Sequence, residues 1–489
     1  MTGSENENTL PMPVKLRPYH HQQAGYDFAC RMFGLADGHK RADGIALLME
    51  MGTGKTLLSI GIAGALYQMG LVTRILVVCP LSICGVWEEE FEKFADYPFQ
   101  LTVLKGTSAK KEQQLEELQQ GGLQIVVINY ESAWRIEKAL LSYNADLIIA
   151  DEGHKLKENR SRQSKGMHDL GDKARYKLLL TGTAITNREL DVFSEYRFLD
   201  QRIFGTSFYA FRNRFFDMTG YGNHIPVFRK SMTEDFLKRM HCVAYRVTKK
   251  ECLDLPEIRE EIRKIELEPT AMKMYRELEE DCYTELKSSE VSVPNVLTKL
   301  LRLSQLTGGH LTDDEHKTTA VSRAKLDALS DIIDSAIEEN QKIVVMARFV
   351  AEMDAIQEML EKKGIGYATV RGGVKDRTKE VTRFQEDPEC RVFIGQIAAA
   401  GVGLTLTAAH IMVFYSLSYS SSDWDQAKAR IHRAGQKQDC LYIYLIAKGT
   451  VDAKILRSLR NKVSLARMLV DDYRKGLNPY KGGENNGTK

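Results

Sequence analysis

Features of membrane and secreted proteins are missing from this 489-residue sequence. No run approaches the ~18 consecutive apolar residues that a membrane-spanning helix needs. The first residues, MTGSENENTLPMP, contain neither a basic cluster nor an apolar core, so this stretch does not predict a signal peptide. None of the eight cysteines forms a C-x-x-C pair, so the sequence supports neither a structural zinc site nor a redox dithiol. We therefore expect reduced, buried cysteines and no membrane partner.

A strong excess of one charge is also missing from the sequence as a whole. The 68 Lys and Arg residues oppose 66 Asp and Glu residues, which leaves a net charge of +2. That balance alone argues against a nucleic-acid partner, because such partners usually leave a basic footprint. However, residues 428–475 hold 12 basic and 4 acidic residues, whereas residues 251–290 hold 6 basic and 13 acidic residues. The local balance of +8 suffices to neutralise several phosphates, so we expect a nucleic-acid partner along the basic stretch.

Short apolar runs rich in β-branched residues occur in two separate regions of the chain. Helix-like stretches such as KTLLSIGIAGALYQMG lie between the runs. Continuous apolar strands that alternate with helices predict a parallel sheet covered on both faces, so we predict two doubly wound α/β domains. The runs are 74–80, 124–130, 146–152 and 177–183 in the first region, and 342–349, 367–372, 391–396, 410–416 and 440–447 in the second.

The predicted domains take up most of the chain. Residues 1–15 are predicted to be a disordered lead-in, and residues 16–200 the first α/β domain. Residues 201–320 lack apolar strand runs, which predicts a helical insertion and linker. Residues 321–456 are predicted to be the second α/β domain, and residues 457–489 a short basic C-terminal helix with a tail.

The most informative segment is 44–60, where an apolar strand runs into a glycine turn and then a helix. Gly52 and Gly54 allow backbone N–H groups to surround phosphate oxygens without a Cβ clash. Lys55 can reach the β- and γ-phosphates, and Thr56 can offer its hydroxyl to Mg²⁺. Because strand, loop and helix come in the required order, we favour phosphate binding over a structural glycine turn. The predicted cofactor-binding residues of this loop are Met51, Gly52, Thr53, Gly54, Lys55 and Thr56.

An acidic pair ends the strand run 146–152. Ligands of open α/β sheets bind at the carboxyl ends of the strands. Asp151 can hold Mg²⁺ through water, and Glu152 can orient or deprotonate an attacking water. An isolated Asp-Glu pair is more often a helix cap, but after a phosphate loop we favour the second half of a nucleotide site. For His154, a coupling role and a plain surface histidine both stay open.

Two further segments end in residues that can connect the nucleotide site with the second domain. Thr181, Gly182 and Thr183 close a strand and can relay between the nucleotide and the second domain, although a plain strand-to-turn exit is the alternative. Arg430 and Arg433 lie three residues apart, which predicts one face of a helix. A phosphoryl-transfer site gains from cations that arrive only on closure, whereas a solvated basic helix is the alternative.

Taken together, these segments resemble the Swi/Snf family of superfamily 2 helicase-like ATPases over about Leu16 to Ile455. LRPYHHQQAG is similar to the family's first motif, MEMGTGKT to its phosphate loop, and CPLSICGVWEEEF to the segment that holds one DNA strand. DEGH resembles its DEAH-like acidic box, and LTGTAITN its third motif, with Ala184 where proline is usual. QIAAAGVGLTLTAA and QAKARIHRAGQKQD are similar to the last two motifs. YRVTKKECLDLPE and LLRLSQLTGGHL resemble the helical insertions that separate this family from unwinding helicases.

The resemblance implies two RecA-like domains that use ATP and Mg²⁺, and a motor that tracks along duplex DNA. It makes Gln22 the contact to the nucleotide base. The implied catalytic residues are Lys55, Asp151, Glu152 and the arginine fingers Arg430 and Arg433, and the implied Mg²⁺ ligands are Thr56 and Asp151. The implied DNA contacts are Ser82, Asn129, Tyr130, Gly403 and Thr405. The implied coupling residues are His154, Thr181, Gly182, Thr183, Gln426 and Gln436.

The sequence therefore predicts an ATP-dependent double-stranded DNA translocase, with forks, branched DNA or protein–DNA complexes as candidate substrates. Two alternatives stay open: a strand-separating helicase, and a nucleotide-gated DNA-binding switch with little turnover. We expect a monomer whose partner is double-stranded or branched DNA. A chain that is almost entirely motor, with no basic cluster of 5–8 residues, favours the cytoplasm of a bacterial or phage-infected cell over a nucleus.

Overall fold

The chain divides into two units, Met1–Asp254 and Leu255–Lys489. Each unit has its own parallel sheet and its own buried core. The structure, a computed structural model, describes residues 10–118, 121–182, 189–219, 225–252, 255–288, 293–312, 317–372, 376–400 and 404–461.

One parallel sheet organises the first unit. In chain order its strands are β1 (Gly44–Met49), β2 (Arg74–Cys79), β3 (Gln100–Val103), β4 (Gln124–Asn129), β5 (Leu147–Asp151), β6 (Tyr176–Thr181), β7 (Phe216–Thr219), β8 (Ile225–Phe228) and β9 (Ala244–Val247). The sheet order is β3-β4-β2-β5-β6-β1-β9, and β7 with β8 forms a separate antiparallel hairpin. Because the strands run parallel, their carboxyl ends share one edge, where Leu48 lies opposite Thr181 and Asp151 opposite Leu180.

The helices of the first unit include one that follows β1 at once and is buried over most of its length. This helix, KTLLSIGIAGALYQ, is apolar around its circumference, as expected for a helix inside the protein. Gly61 and Gly64 let neighbours approach closely, since a Cβ there would lie 2.5 Å from Met12 Cγ and 2.1 Å from Tyr97 Cε1. The helices are α1 (His20–Phe33), α2 (Lys55–Gln68), α3 (Cys84–Phe94), α4 (Ser108–Glu116), α5 (Tyr130–Ala133), α6 (Glu137–Tyr143), α7 (Arg162–Lys173), α8 (Val192–Leu199), α9 (Gln201–Phe204), α10 (Phe208–Phe215), α11 (Thr233–His241) and α12 (Lys249–Cys252).

The second unit repeats this architecture with a parallel sheet of its own. Its strands are β10 (Ile258–Ile265), β11 (His310–Thr312), β12 (Thr318–Ala320), β13 (Ile343–Ala347), β14 (Gly366–Val370), β15 (Cys390–Gln396), β16 (Ile411–Phe414) and β17 (Cys440–Ala447). The sheet order is β10-β17-β16-β13-β15-β14, and β11 with β12 forms an antiparallel hairpin. The helices are α13 (Pro269–Ser288), α14 (Val293–Thr307), α15 (Ala324–Glu338), α16 (Val350–Lys363), α17 (Arg377–Glu386), α18 (Ile397–Ala400), α19 (Ser421–Lys428) and α20 (Asp452–Arg460). Within the described ranges, no helix combines the length and the apolar content needed to cross a bilayer.

The prediction of two α/β domains with parallel sheets is confirmed, and every predicted apolar run forms a strand. The prediction that 201–320 is a helical insertion and linker is wrong in part. It contains α13 and α14, but also β9 at the edge of the first sheet and β10 at the edge of the second. Neither edge strand has a continuous apolar run. In β10, IREEIRKI, most residues are exposed, so the strand does not need one. The division between the units therefore lies after Asp254, inside the predicted insertion.

The predicted disordered lead-in, 1–15, also needs correction at its end. Met12 is buried against α2, and Val14 forms an antiparallel bridge with Ala95. The apolar side chain of Met12 gains from leaving water, which a disordered segment would not provide. Residues 1–9 lie outside the described residues, as do residues 462–489, which hold most of the predicted C-terminal helix.

The aromatic residues of the inserted segment form a small core of their own. The ring centroid of Phe204 lies 5.2 Å from that of Phe211 and 5.3 Å from that of Phe236. Phe236 in turn lies 5.2 Å from Phe228 of the β7–β8 hairpin. Such edge-to-face and tilted pairs stabilise beyond the area they bury. The aromatic richness of this stretch is therefore explained by packing of α9, α10 and α11 on the hairpin.

A fully buried carboxyl lies at the carboxyl end of β13. The Glu352 Oε2 atom accepts hydrogen bonds from Ser416 Oγ at 2.6 Å, Arg348 N at 3.1 Å and Phe349 N at 3.0 Å. Its Oε1 atom is buried with no hydrogen-bond partner among the described residues. Burial raises the pKa of Glu352 from 4.5 to about 7, and the three donors only partly offset that rise.

This carboxyl gives the second unit a pH-dependent stability that is expected to disappear in Glu352→Gln. Between about pH 4.5 and 7 the folded state keeps a proton that the unfolded state releases, so stability falls as the pH rises through this window. The full effect corresponds to about 3 kcal/mol. Urea unfolding at pH 5 and pH 8 measures it. We expect the wild type to lose more stability than Glu352→Gln between the two, and equal losses would contradict the assignment.

Candidate active site

The loop between β1 and α2 has the backbone of a phosphate cradle. Gly52 and Gly54 adopt left-handed φ values of 83° and 89°, a region that favours glycine. The Lys55 ammonium donates to the Met49 carbonyl oxygen at 2.9 Å, so its charge lies across the loop. The Thr53 hydroxyl closes the turn by donating to the Glu50 carbonyl oxygen at 2.7 Å. With the N-terminus of α2 starting at Lys55, the loop is arranged to surround an anion.

The predicted base contact, Gln22, lies directly against this loop. Its Nε2 donates to the Thr53 carbonyl oxygen at 3.3 Å, and its Oε1 accepts from Tyr19 N at 2.9 Å. The neighbouring His21 Nε2 is 2.8 Å from the same carbonyl oxygen. A Cβ on Gly54 would lie 2.1 Å from Gln22 Nε2, so the glycine is what lets the glutamine approach. The structure thus brings the first motif and the phosphate loop together.

The acidic pair stands at the end of β5 on the same edge of the sheet. Asp151 is 8% exposed, and both of its carboxylate oxygens accept hydrogen bonds: Oδ2 from Trp87 Nε1 at 3.1 Å and Oδ1 from Glu152 N at 2.9 Å. Burial and the neighbouring Glu152 raise the pKa of Asp151 to about 7, while Lys55 and Trp87 act in the opposite direction. A cation beside this carboxyl would favour its charged form.

The backbone around the second acidic residue is unusual. Glu152 has a φ of 53°, which is sparsely populated by residues other than glycine, asparagine and aspartate. Its Oε2 lies 3.3 Å from His154 Nδ1, so His154 contacts the acidic box. Gly153 is required next to it, because a Cβ there would lie 2.5 Å from Leu179 Cγ. Strained backbone of this kind occurs at functional sites, which fits a carboxylate held in one orientation.

The third motif reaches the phosphate loop from β6. Thr181 is fully buried opposite Leu48. An ideal Cβ on Gly182 would lie 3.7 Å from the Met49 carbonyl oxygen and 3.7 Å from Met51 Cγ. Gly182 therefore packs on the loop, whereas Thr183 lies outside the described residues.

The predicted DNA contacts of the first unit follow the ends of β2 and β4, which pair at Cys79 and Asn129. Ser82 is half-buried in the 3₁₀ turn Leu81–Ile83. Asn129 donates from Nδ2 to Glu131 Oε2 at 2.9 Å. The Tyr130 side chain is 1% exposed and its hydroxyl donates to the Asp151 carbonyl oxygen at 2.9 Å. Its side chain is therefore an internal support of the acidic strand rather than a surface contact.

The arginine pair of the second unit lies in a turn, not on a helix. The predicted helix face is wrong, because α19 ends at Lys428 and Gly435 has a left-handed φ of 99°. Arg430 Nη1 and Arg433 Nη1 both donate to the Leu404 carbonyl oxygen, at 3.1 Å and 3.2 Å. Both arginines therefore converge on the residue that precedes Thr405.

The two glutamines of this segment hold it in shape. Gln426 is buried, and its carbonyl oxygen accepts from Arg430 Nε at 3.0 Å. Gln436 Nε2 donates to the Ala409 carbonyl oxygen at 2.8 Å, while its Oε1 accepts from Lys437 N at 2.9 Å. Their predicted coupling role stays a prediction, and Gly403 lies outside the described residues.

Sequence reasoning missed His21 and Trp87. The histidine sits beside Gln22 in the same motif, so its proximity was a usable signal. Trp87 lies three residues after Cys84 and four before Phe91, which marks a buried helix face. Nothing in that spacing reveals that the indole N–H would reach Asp151.

Comparisons with known proteins decide the family. The SNF2-related domain matches residues 21–308, which is more than half of the chain. The chain belongs to the SNF2-related family of helicase-like ATPases. The helicase conserved C-terminal domain matches residues 324–435 of this SNF2-related chain.

Curated relatives and solved structures resemble the SNF2-related chain over most of its length. It is 25% identical to a DNA repair and recombination protein RAD54-like of Drosophila pseudoobscura pseudoobscura, over 94% of this chain and 64% of the relative. It is 26% identical to an uncharacterized ATP-dependent helicase of Mycoplasma genitalium, over 86% of this chain and 40% of that protein. The chain thus spans less than two thirds of these relatives. A Sulfolobus solfataricus SWI2/SNF2 ATPase core in complex with dsDNA is 25% identical, with 96% of this chain and 99% of that chain covered and a TM-score of 0.47.

The phosphate loop of this SNF2-related chain yields a test in Gly54→Ala. The new Cβ would displace the Gln22 amide and would need a left-handed φ of 89°. We expect the affinity for ATP, measured by titration of a fluorescent analogue, to fall at least tenfold, equal to about 1.4 kcal/mol. Gly70→Ala is the matched control, because Gly70 also has a positive φ but meets no atom within 4 Å. Equal affinities in the two variants would contradict a nucleotide role for the loop.

Proposed function

We propose that this chain is an ATP-dependent double-stranded DNA translocase, in which ATP hydrolysis drives movement along duplex DNA. One observation carries the proposal: the phosphate loop, the first motif, the acidic pair and Gly182 meet on one edge of the first sheet. That edge joins the groups that phosphoryl transfer requires, a cradle, a cation and two carboxylates. The names of the relatives, a DNA repair and recombination protein and an ATP-dependent helicase, support nucleic acid as the partner.

The residues at this edge fit a magnesium nucleotide. Within the described residues, no group of three or more His, Cys, Asp or Glu side chains is placed to hold a metal alone. Mg²⁺ is usually bound by one or two carboxylates together with substrate phosphates. Asp151 and the Thr56 hydroxyl would hold it here, and the bound ion would neutralise phosphate charge. The positive-φ glycines and Lys55 fit the phosphates themselves.

Each residue then has a defined role in the proposed reaction. Lys55 leaves the Met49 carbonyl oxygen to pair with the phosphates. Glu152, held in its strained conformation, orients the attacking water and accepts its proton. Gln22 contacts the base while it braces the loop through Thr53. Arg430 and Arg433 supply positive charge to the transferred phosphoryl group.

The distribution of charge supports a grip on the DNA backbone rather than on bases. Residues 428–475 carry a balance of +8, and contacts to phosphates fix register without reading sequence. Ser82 and Asn129 at the strand edge, and Thr405 in the second unit, are the proposed backbone contacts. We expect sequence-tolerant binding, with double-stranded or branched DNA as substrate.

A pair of displacement assays tests the proposal against its alternatives. The protein is given ATP and either a triplex, whose third strand lies on a duplex, or a forked duplex. A translocase displaces the third strand and leaves the fork annealed. Separation of the fork would instead favour a strand-separating helicase. Failure on both substrates, with ATP-dependent DNA binding retained, would favour a nucleotide-gated switch.

Substitution of the proposed water-orienting carboxylate should separate binding from hydrolysis. Glu152→Gln keeps the shape of the side chain but cannot accept the proton, so we expect turnover to fall by orders of magnitude. ATP and DNA should still bind, which filter binding measures. Glu158→Gln, an exposed glutamate six residues away, should turn over normally. Normal turnover in Glu152→Gln would remove the assignment.

The arginine assignment is tested in the second unit. Arg433→Ala should lower the DNA-stimulated rate by about a thousandfold, the scale of an arginine finger. The exposed Arg323 lies outside the basic stretch 428–475 and offers a control, because Arg323→Ala removes the same charge elsewhere in the unit. Similar rates in the two variants would show that Arg433 is only a structural residue of its turn.

Salt dependence tests the proposed backbone grip. Each phosphate contact contributes about −0.9 to the slope of log K against log salt. For about four contacts, affinity should fall about a hundredfold between 50 mM and 200 mM salt. Fluorescence anisotropy with two unrelated duplexes measures it, and both should give the same slope. A flat dependence would contradict the charge argument.

A further inference from the structure

Two buried aromatic side chains donate hydrogen bonds to the same acidic residue. Trp87 Nε1 reaches the Asp151 carboxylate at 3.1 Å, and the Tyr130 hydroxyl reaches the Asp151 carbonyl oxygen at 2.9 Å. Each aromatic side chain is 1% exposed, so neither bond competes with bulk water. The indole fixes the rotation of the carboxylate, and the phenol fixes the end of β5.

Each of these aromatics lies directly behind a segment proposed to contact DNA. Ser82 is in the 3₁₀ turn Leu81–Ile83, which continues without a break into α3, the helix that carries Trp87. Asn129 is the last residue of β4, and Tyr130 is the first residue of α5. The two proposed DNA segments are therefore five and one residues from an aromatic that touches Asp151.

The packing of α3 makes it suited to move as one body with the turn. Trp87 packs on Phe91, with ring centroids 6.0 Å apart, and Phe91 on Phe99 at 5.4 Å. At the start of the helix, Cys84 Sγ lies 3.5 Å from Cys79 Sγ at the end of β2. Because hydrogen bonds weaken steeply beyond about 3.5 Å, a shift of the helix by less than an ångström changes the Trp87–Asp151 bond.

We propose that Trp87 and Tyr130 are positioning residues through which bound DNA sets the orientation of Asp151. Neither residue contacts the nucleotide in this scheme. Each transmits the position of its own DNA-contacting segment to the residue that would hold Mg²⁺. This inference rests on the proposed function and adds to it the route by which DNA stimulates hydrolysis.

Removal of either hydrogen bond tests the route. Tyr130→Phe removes only the hydroxyl donor, whereas Trp87→Phe removes the N–H donor together with the pyrrole ring of the indole. We expect the ratio of kcat with duplex DNA to kcat without DNA to fall about tenfold in Trp87→Phe, the scale of losing a hydrogen bond to a charged group. The fall should be smaller, about threefold, in Tyr130→Phe, because its partner is a neutral carbonyl oxygen. The DNA concentration for half-maximal stimulation should stay close to that of the wild type. A merely structural role would lower both kcat values together and leave their ratio unchanged.

Two matched variants control for loss of an aromatic donor as such. The Tyr143 hydroxyl donates to the carbonyl oxygens of Ile75 and Gln124, at the opposite ends of β2 and β4. The Trp134 ring packs against the Arg162 guanidinium, whose carbon lies 5.4 Å from the ring centroid. Tyr143→Phe and Trp134→Phe should therefore keep the wild-type ratio. Thermal unfolding of all four variants monitors their folding.

Fluorescence gives a readout that does not depend on turnover. The chain contains 3 tryptophans, so the double variant Trp134→Phe/Trp424→Phe reports on Trp87 alone. Duplex DNA added without nucleotide should change its emission, because the indole N–H shifts relative to Asp151.

The outcomes separate the two levels of the proposal. If DNA does not stimulate ATP hydrolysis by the wild type, both the translocase proposal and the proposed route through Trp87 and Tyr130 are wrong. Suppose instead that DNA stimulates the wild type, that Trp87→Phe and Tyr130→Phe keep its ratio of kcat values, and that the emission of Trp87 does not change with DNA. Only the proposed route through Trp87 and Tyr130 is then overturned. A fallen ratio with a responsive Trp87 supports it.

Discussion

A buried carboxylate at the end of β5 is the constraint on which the rest of the first unit depends. Asp151 has little contact with water, and ionisation there is costly unless donors and cations surround it. The chain offsets part of this cost with the Trp87 indole, the Glu152 backbone N–H and the nearby Lys55 ammonium. Each of these groups comes from a different element, so the carboxylate ties α3, β5 and the phosphate loop into one arrangement.

The same constraint explains the glycines and the strained residue around it. Gly54 lets Gln22 reach the loop, Gly153 lets the segment after β5 pack on Leu179, and Gly182 fits against the loop. Glu152 adopts a left-handed backbone between them. Side chains at Gly54 and Gly153 would separate groups that phosphoryl transfer needs within reach of one another. The SNF2-related family membership and the local geometry therefore point to the same edge of the sheet.

Much of this arrangement could be predicted from the sequence, for physical reasons. The buried strands are continuous apolar runs, and the phosphate loop requires glycine and lysine at fixed spacing, so both leave local signals. The edge strand β10 leaves no such signal, because its residues are largely exposed. The turn that holds Arg430 and Arg433 could not be predicted, because a spacing of three residues also fits one face of a helix. The Trp87 and Tyr130 bonds join residues 64 and 21 positions away from Asp151, and local periodicity carries no information on such contacts.

We propose that duplex DNA governs ATP hydrolysis by this chain. The most direct measurement is the rate of phosphate release at saturating ATP, with and without linear duplex DNA. Lys55→Ala serves as the background, because it removes the cation of the phosphate loop. We expect a low rate without DNA, a rate more than about tenfold higher with duplex, and no DNA effect in Lys55→Ala. A wild-type rate that is the same with and without duplex would contradict it.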